Sequence, residues 1–305
     1  MGSRTDVPLF RSSKQLMSKI NDDSNDQTTG DSAETESTCF PWQSPSSRSF
    51  DDVGGLDSIK EQLERLVVRP LIENREEYAR LNVTVPNVLL YGPPGTGKTY
   101  LTEALVGEIG YPFVKITPSI VQSRFVNESA ERVRDLFTEA REIAEQYGHA
   151  VIFIDEVDVV LGSRDIANAH HEDQKVVNEF LTFLEESGQQ NVYVVAATNR
   201  RERLDEAAVR AGRFDREFHI GIPGAETRRE IFRTHLEGRP NTVSDDDLTW
   251  CVENTEKWNG AEIAITIDEA ARRAVERGGD TIQHEDLVDA IIDQTSERVP
   301  SNIPL

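Results

Sequence analysis

The residues best suited to chemistry lie in one stretch, Gly92-Pro93-Pro94-Gly95-Thr96-Gly97-Lys98-Thr99. Its spacing, Gly-x-x-x-x-Gly-Lys-Ser/Thr, lets backbone N–H groups surround phosphate oxygens, while the lysine reaches the outer phosphates and the hydroxyl holds Mg²⁺. Residues 87–91 before it are mostly apolar and strand-like, and residues 100–109 after it have helical spacing. The sequence therefore predicts a strand–turn–helix that binds a nucleoside triphosphate with Mg²⁺, through Pro94, Gly95, Thr96, Gly97, Lys98, Thr99 and Tyr100.

A pair of acids follows a second apolar run. Residues 151–154 are all apolar and are followed by Asp155 and Glu156, which predicts a buried parallel strand carrying two carboxylates at its carboxyl end. Asp155 would orient the Mg²⁺ through a coordinated water, and Glu156 would polarise the attacking water. The alternative is two solvated acids at a strand end, but their position downstream of a phosphate loop favours hydrolysis.

Two further segments complete a recognisable order of motifs. A third apolar run, residues 192–196, leads to Asn199, and Gly212-Arg213-Phe214-Asp215-Arg216 follows. In this order the motifs closely resemble those of the AAA ATPases, and residues 50–56 resemble the corresponding segment of the Cdc48-like, proteasomal and FtsH-like branch. The resemblance covers residues 50 to about 292. It implies an α/β P-loop NTPase with a central parallel sheet flanked by helices, a small C-terminal helical lid, and hydrolysis of ATP to ADP and phosphate.

The resemblance also assigns roles to residues. It implies that Asn199 senses the γ-phosphate or the attacking water, and that Arg213 and Arg216 act as arginine fingers on the neighbouring subunit's nucleotide. Judged alone, these arginines would be ordinary surface residues. It further implies nucleotide contacts before the first helix and in the lid, at Asp52, Gly54, Ile231, His235, Gly260 and Ala261. On the sequence alone, His235 is an ordinary histidine on a helix.

Other positions concern the ring and its substrate. Phe125 and Val126 match the aromatic and aliphatic positions of a pore loop that grips polypeptide, although Asn127 stands where glycine is usual. Residues 185–188, Glu-Glu-Ser-Gly, depart from the Asp-Gly-hydrophobic segment that signals between subunits. These matches predict a homo-oligomeric ring, a hexamer, that remodels or unfolds a protein. The alternative is a non-translocating, ATP-dependent assembly switch or adaptor.

Composition suggests the setting. The net charge of −22 disfavours a nucleic-acid substrate, because binding to phosphates requires basic groups. Only 7 of the 33 basic residues are lysine, a balance that resembles proteins of salt-loving archaea, although an ordinary acidic cytosolic protein is the alternative. The two cysteines, Cys39 and Cys251, lack metal-ligand spacing. These features predict a reducing cytoplasm.

No segment resembles a membrane span or a signal peptide, because no apolar run approaches the roughly 18–20 residues that a span needs. The sequence also lacks a His-Glu-x-x-His motif, and its last residues, 302–305, lack the hydrophobic-Tyr-x ending of proteasomal ATPases. We therefore expect a soluble chain unlike the membrane-anchored FtsH type. The predicted organisation is a disordered polar tail (1–48), a large ATP-binding domain (49–223), a lid (224–296) and a C-terminal tail (297–305).

Overall fold

The sheet is the frame on which the other elements are placed. The structure is a computed structural model that describes residues 39–73, 75–121, 128–162 and 171–298. Its five strands are β1 (Val88–Tyr91), β2 (Phe113–Ile116), β3 (Ala150–Ile154), β4 (Val192–Thr198) and β5 (Arg216–His219). They form one sheet in the order β2-β3-β4-β1-β5, and every pairing is parallel. The predicted parallel α/β fold is confirmed.

Helices cover both faces of the sheet. In the large domain they are α1 (Asp57–Leu63), α2 (Arg69–Ile72), α3 (Arg75–Arg80), α4 (Lys98–Ile109), α5 (Pro118–Val121), α6 (Glu128–Tyr147), α7 (Val157–Val160) and α8 (His171–Ser187). A π-helical turn, Glu64–Val68, joins α1 to α2. The alternation of strand and helix follows from sequence runs that switch between continuous apolar character and helical spacing.

Two separate cores hold the helices to the sheet. On one face α6 and α8 pack through Phe137, which stacks on Phe183 at 4.4 Å and meets Phe180 edge-on at 5.9 Å. On the other face α4 and the α1–α2 segment bury side chains such as Leu101 and Leu63. The central strands β3 and β4 are buried along their whole length, because helices cover both of their faces.

The lid is a four-helix unit with its own core. It contains α9 (Ala225–Leu236), α10 (Asp245–Glu253), α11 (Gly260–Glu276) and α12 (His284–Arg298). Phe232, Trp258 and Ile263 are among the side chains buried at its centre. Capping boxes fix the starts of two helices, Ser244 with Asp247 on α10 and Asn259 with Glu262 on α11. The last helix runs two residues beyond the lid boundary predicted at 296.

The start of the described chain corrects one prediction. Residues 39–48 were expected to belong to a disordered tail, but they lie against the large domain. Phe40 is buried, and Gln43 forms an antiparallel bridge with Phe113, the first residue of β2. We call residues 39–49 the strap. Among the helices that the structure describes, none is long and apolar enough to cross a membrane.

One buried histidine should make folding sensitive to acid. His149 precedes β3, its Nδ1 lies 3.3 Å from the Asn191 carbonyl oxygen, and its ring contacts Tyr111 edge-on. Burial, reinforced by the Arg75 cation, lowers the pKa of His149 from 6.5 to about 4. Between these values the unfolded state binds more protons than the folded state, so the free energy of unfolding falls as the pH falls.

We therefore expect His149 to cost about 2 kcal/mol of stability between pH 7.5 and pH 5. Urea unfolding of the wild type and of His149→Gln across this range measures it, because the carboxylates titrate equally in both proteins. As the pH falls, the free energy of unfolding of the wild type should decrease more than that of His149→Gln. If the difference between the two free energies of unfolding stays constant with pH, His149 is not the group responsible.

Candidate nucleotide-binding site

The strand order gathers the predicted chemistry at one edge of the sheet. The phosphate loop (residues 92–97) follows β1, Asp155 and Glu156 follow β3, and Asn199 follows β4. Because β3, β4 and β1 are neighbours, their carboxyl ends bring these groups together. The lid closes over this edge and leaves a cleft of about 530 Å³, within the roughly 300–1,000 Å³ typical of ligand sites.

The cleft contains every cis-acting residue that the sequence singled out. The predicted residues that line it are Asp52, Gly54, Pro94, Gly95, Thr96, Gly97, Lys98, Thr99, Tyr100, Asp155, Glu156, Asn199, Ile231, His235, Gly260 and Ala261.

The phosphate loop is held in a conformation that requires glycine. Gly95 and Gly97 have φ values of 74° and 94°, a region that side-chain-bearing residues rarely adopt. Lys98 is 7% exposed, and its ammonium donates to the carbonyl oxygens of Gly92 and Pro93 at 2.9 and 2.7 Å. Burial lowers the pKa of Lys98, and the Asp155 carboxylate opposes that shift. A cation is thus fixed inside the loop, where anionic phosphates bind.

A hydroxyl and a carboxylate meet at the start of α4. The Thr99 hydroxyl donates to Asp155 Oδ2 at 3.3 Å, and the Lys115 ammonium lies 3.4 Å from the same oxygen. Hydroxyl and carboxylate oxygens are the ligands that Mg²⁺ prefers. Lys115 was not predicted to lie here, and its place is set by the pairing of β2 with β3.

Glu156 has an uncommon backbone conformation. Its φ and ψ are 52° and 44°, in the left-handed region, which for a residue other than glycine costs on the order of 1–3 kcal/mol. Such strain concentrates at functional sites. The conformation ends β3 abruptly at the cleft, where Glu156 is exposed, so its carboxylate is available to a substrate water.

The end of β4 is fixed by a residue that the motifs did not reveal. Thr198 donates its hydroxyl to Asp158 Oδ1 at 2.6 Å and accepts the Arg200 amide at 2.9 Å. These two bonds hold the turn that carries Asn199, which is exposed and lines the cleft. An acidic residue two positions after the Asp-Glu pair was the available signal for this support.

The lid contacts the phosphate loop directly. The Ala261 amide, at the start of α11, donates to the Gly95 carbonyl oxygen at 3.0 Å. A Cβ at Gly54 would lie 2.6 Å from the Ile231 Cα, so only glycine allows the segment before α1 to approach α9 this closely. Burial, and then the Arg239 cation, lower the pKa of His235 in this wall. The lid therefore supplies a largely apolar wall with a neutral imidazole.

Comparison with known proteins identifies the family. Residues 88–222 match the "ATPase family associated with various cellular activities (AAA)", and residues 245–289 match the "AAA+ lid domain". Together the two matches cover more than half of the chain. The chain belongs to the AAA ATPase family. The ligand of this family is ATP with Mg²⁺, and its activity is ATP hydrolysis.

The similar curated proteins are larger. An "ATP-dependent zinc metalloprotease FtsH 2" of Symbiobacterium thermophilum is 40% identical over 256 residues, which cover 82% of this chain and 42% of that protein. An FtsH 3 of Sphaerobacter thermophilus is 39% identical, covering 80% and 49% respectively. An FtsH 2 of Salinibacter ruber is 38% identical, covering 79% and 35%. The AAA chain thus spans less than half the length of these relatives.

The AAA cleft fits ATP with Mg²⁺ on its own geometry. The positive φ values of Gly95 and Gly97 shape the loop, and a Cβ at Gly97 would meet nothing within 4 Å, so the space in front of the loop is open to phosphates. The Thr99 and Asp155 oxygens provide hard donors beside that space. Lys98 supplies the positive charge. These residues are therefore suited to hold the triphosphate and its metal ion.

The two predicted arginine fingers lie away from this cleft. Arg213 donates to Glu185 Oε1 from Nε at 2.9 Å and to the Ala207 carbonyl oxygen at 2.7 Å. Arg216 is exposed and is the first residue of β5, so it lies at the amino ends of the strands. The cleft is at the carboxyl ends. Phe125 and Val126 of the predicted pore loop lie outside the described residues.

Proposed function

We propose that the chain is a subunit of a ring, a homohexamer, in which each nucleotide site is completed by arginines of the neighbouring subunit. The position of Arg216 carries this proposal. Val88 pairs with Arg216, whereas Tyr91 pairs with Thr198 at the cleft. The finger therefore lies at the amino ends of the strands, and the cleft lies at their carboxyl ends. At about 3.3 Å per residue, a four-residue strand separates those two ends by roughly 10–13 Å.

A ring follows from this arrangement because the contact joins two different surfaces. One surface of a subunit carries the cleft, and another carries Arg213 and Arg216. A repeated contact of this heterologous type generates a closed ring when its rotation closes. The FtsH relatives support a motor of this kind, and the finger motif supports trans action.

The residues of the cleft have distinct tasks in this proposal. When bound, ATP would be the substrate whose γ-phosphoryl group is transferred to water, and Mg²⁺ would neutralise part of the negative charge of its phosphates. Lys98 holds the outer phosphates, while Thr99 and Asp155 position the metal. Glu156 removes a proton from the attacking water, and Asn199 orients that water or the γ-phosphate. Arg213 and Arg216 of the neighbour stabilise charge in the transition state.

We propose that hydrolysis drives the remodelling or unfolding of a protein partner, gripped by Phe125 and Val126. The pattern Phe-Val-Asn supports this, since Asn is among the residues that best tolerate the left-handed backbone that glycine usually supplies here. A net charge of −22 favours a protein over a nucleic acid as the substrate. ATPase stimulation by DNA would count against this choice.

Replacing Phe125 with Ala should abolish remodelling while basal ATP turnover continues, because the aromatic ring provides the grip and takes no part in the chemistry. The substrate is a fluorescent protein fused to a permanently unfolded tail, and its ATP-dependent unfolding is followed as a loss of fluorescence. Phosphate release is measured in parallel. Ser123→Ala, in the same segment, is the matched control. Unfolding that survives in Phe125→Ala would contradict a pore grip.

A non-translocating assembly switch is the second candidate. It is favoured by the contact of Arg213 with Glu185, which holds a predicted finger on its own subunit. In such a switch ATP would change the oligomeric state without threading a substrate. A sedimentation coefficient that changes when ATP is added, together with unchanged partner remodelling in Phe125→Ala, would support the switch.

We also propose a salt-rich, reducing cytoplasm as the setting. The excess of acidic residues supports it, because molar salt shortens the Debye length to about 3 Å and screens self-repulsion. Cys39 and Cys251 are both free. A free energy of unfolding that fails to rise between low salt and molar KCl would favour an ordinary acidic cytosolic protein instead.

A further inference from the structure

Both ends of the strap contact the large domain. At its first end Phe40 is buried beside α6, and the Trp42 indole N–H donates to Glu139 Oε2 at 3.1 Å. Gln43 and Phe113 exchange backbone hydrogen bonds of 2.8 and 3.0 Å, so the strap extends the exposed edge of β2. Because the bridge is antiparallel, the strap runs toward the amino ends of the strands here and then turns onto α4.

At its other end the strap lies on α4, the helix that begins with Lys98. A Cβ at Gly107 would lie 1.8 Å from the Arg48 carbonyl oxygen, so only glycine allows the strap backbone to approach the helix this closely. The Arg48 guanidinium forms an ion pair with Glu103 and lies 4.4 Å from the centre of the Tyr100 ring. Tyr100, Glu103 and Gly107 are spaced three and four residues apart, on one face of α4.

Arg48 also lines the nucleotide cleft. Tyr100 directly follows Thr99, and its ring centre lies 6.3 Å from that of His235 in the lid. A nucleotide whose outer phosphates lie at Lys98 and Thr99 has its α-phosphate and sugar beside this wall. The side chain of Arg48 is 43% exposed, and its planar guanidinium can donate two parallel hydrogen bonds to phosphate or hydroxyl oxygens.

We propose that Arg48 is a further nucleotide-binding residue, which contacts the α-phosphate or sugar of the bound nucleotide, and that binding thereby fixes the strap on α4. The proposal rests on nucleotide binding in this cleft and is independent of ring assembly. It makes the strap a third wall of the site, besides the large domain and the lid.

Calorimetric titration of the full chain with Mg²⁺-ADP tests the contact. Loss of a charge-assisted hydrogen bond should raise the dissociation constant of Arg48→Ala about tenfold. Arg48→Lys should recover only part of the affinity, because an ammonium lacks the planar fork. Arg80→Ala, which removes another exposed arginine paired with glutamate on α3, should bind ADP as the wild type does.

Glu103→Gln separates direct contact from mere support of the strap. It removes the ion pair between strap and helix but leaves the guanidinium free to contact the nucleotide. The proposal expects the dissociation constant of Glu103→Gln to stay within about twofold of wild type. The carboxylate that this variant loses repels phosphate, so its removal costs no attraction to the nucleotide. If Glu103→Gln weakens binding as much as Arg48→Ala does, or if Arg48→Ala does not weaken it, the direct contact is wrong.

Trypsin provides a readout of the strap itself, because it cleaves after Arg48. Saturating ADP should slow cleavage of the Arg48–Ser49 bond at least severalfold in the wild type, and inorganic phosphate at the same concentration should not. Cleavage that is unaffected by ADP would overturn the coupling. A wild type that fails to bind ADP at all would instead contradict the nucleotide site.

Discussion

Replacing Glu156 with Gln should stop ATP turnover while leaving ATP bound. The amide has nearly the same shape as the carboxylate but cannot accept a proton from the attacking water, and a lost general base costs roughly 10²–10⁴-fold in rate. Phosphate release at saturating ATP measures the turnover, and calorimetric titration measures the affinity. Because Lys98, Thr99 and Asp155 are unchanged, the dissociation constant should stay near that of the wild type.

Glu76→Gln is the control for this substitution, since Glu76 is an exposed carboxylate on α3, paired with Arg80. It should hydrolyse ATP at the wild-type rate. The left-handed backbone at position 156 provides a second check, because Gln and Glu should tolerate that conformation equally. Turnover in Glu156→Gln above one tenth of the wild-type rate would assign the proton transfer to another group.

Removing either finger arginine should produce the other large loss. Arg213→Ala and Arg216→Ala should each reduce turnover by roughly 10³–10⁵-fold, the contribution typical of an arginine finger in phosphoryl transfer. Each should still bind ATP, because neither arginine lines the cleft of its own subunit. Steady-state hydrolysis at protein concentrations that support assembly measures the effect.

Arg213 needs a control for local structure, because it bonds to Glu185 and to the Ala207 carbonyl oxygen. Glu185→Gln removes the ion pair but keeps the guanidinium. It should retain most of the turnover if Arg213 acts on a neighbour's nucleotide. If Glu185→Gln is as inactive as Arg213→Ala, the ion pair itself is required, and the loss in Arg213→Ala carries no information about trans action.

Sequence predicted the parts of the site that local spacing encodes. The phosphate loop and the Asp-Glu pair each depend on a short pattern with a direct physical reason, whereas the helical lid was implied by the resemblance to the AAA ATPases. The glycines at 95 and 97 were predicted to free the backbone, and both have positive φ. The apolar run before Asp155 predicted one buried parallel strand, and the resemblance implied the complete parallel sheet.

The remaining features depend on contacts between distant residues. The strap was expected to be disordered because residues 1–48 are mostly polar, yet two aromatic side chains and the backbone of Gln43 hold residues 39–48 in place. Its approach to α4 depends on the absence of a Cβ at Gly107, which no pattern near residue 48 reveals. The pairing of Arg213 with Glu185 joins positions 28 residues apart, and the strained backbone of Glu156 appears only in three dimensions.

A mixing experiment tests the composite site most directly. Glu156→Gln keeps its fingers but lacks the base, while Arg216→Ala keeps its base but lacks a finger. In mixed rings, an Arg216→Ala subunit beside a Glu156→Gln subunit has its own Glu156 and the neighbour's Arg216. We expect two inactive preparations to regain ATP turnover when mixed, with a maximum near equal proportions. If no mixture hydrolyses ATP although both variants bind it and co-assemble, sites shared between subunits are contradicted.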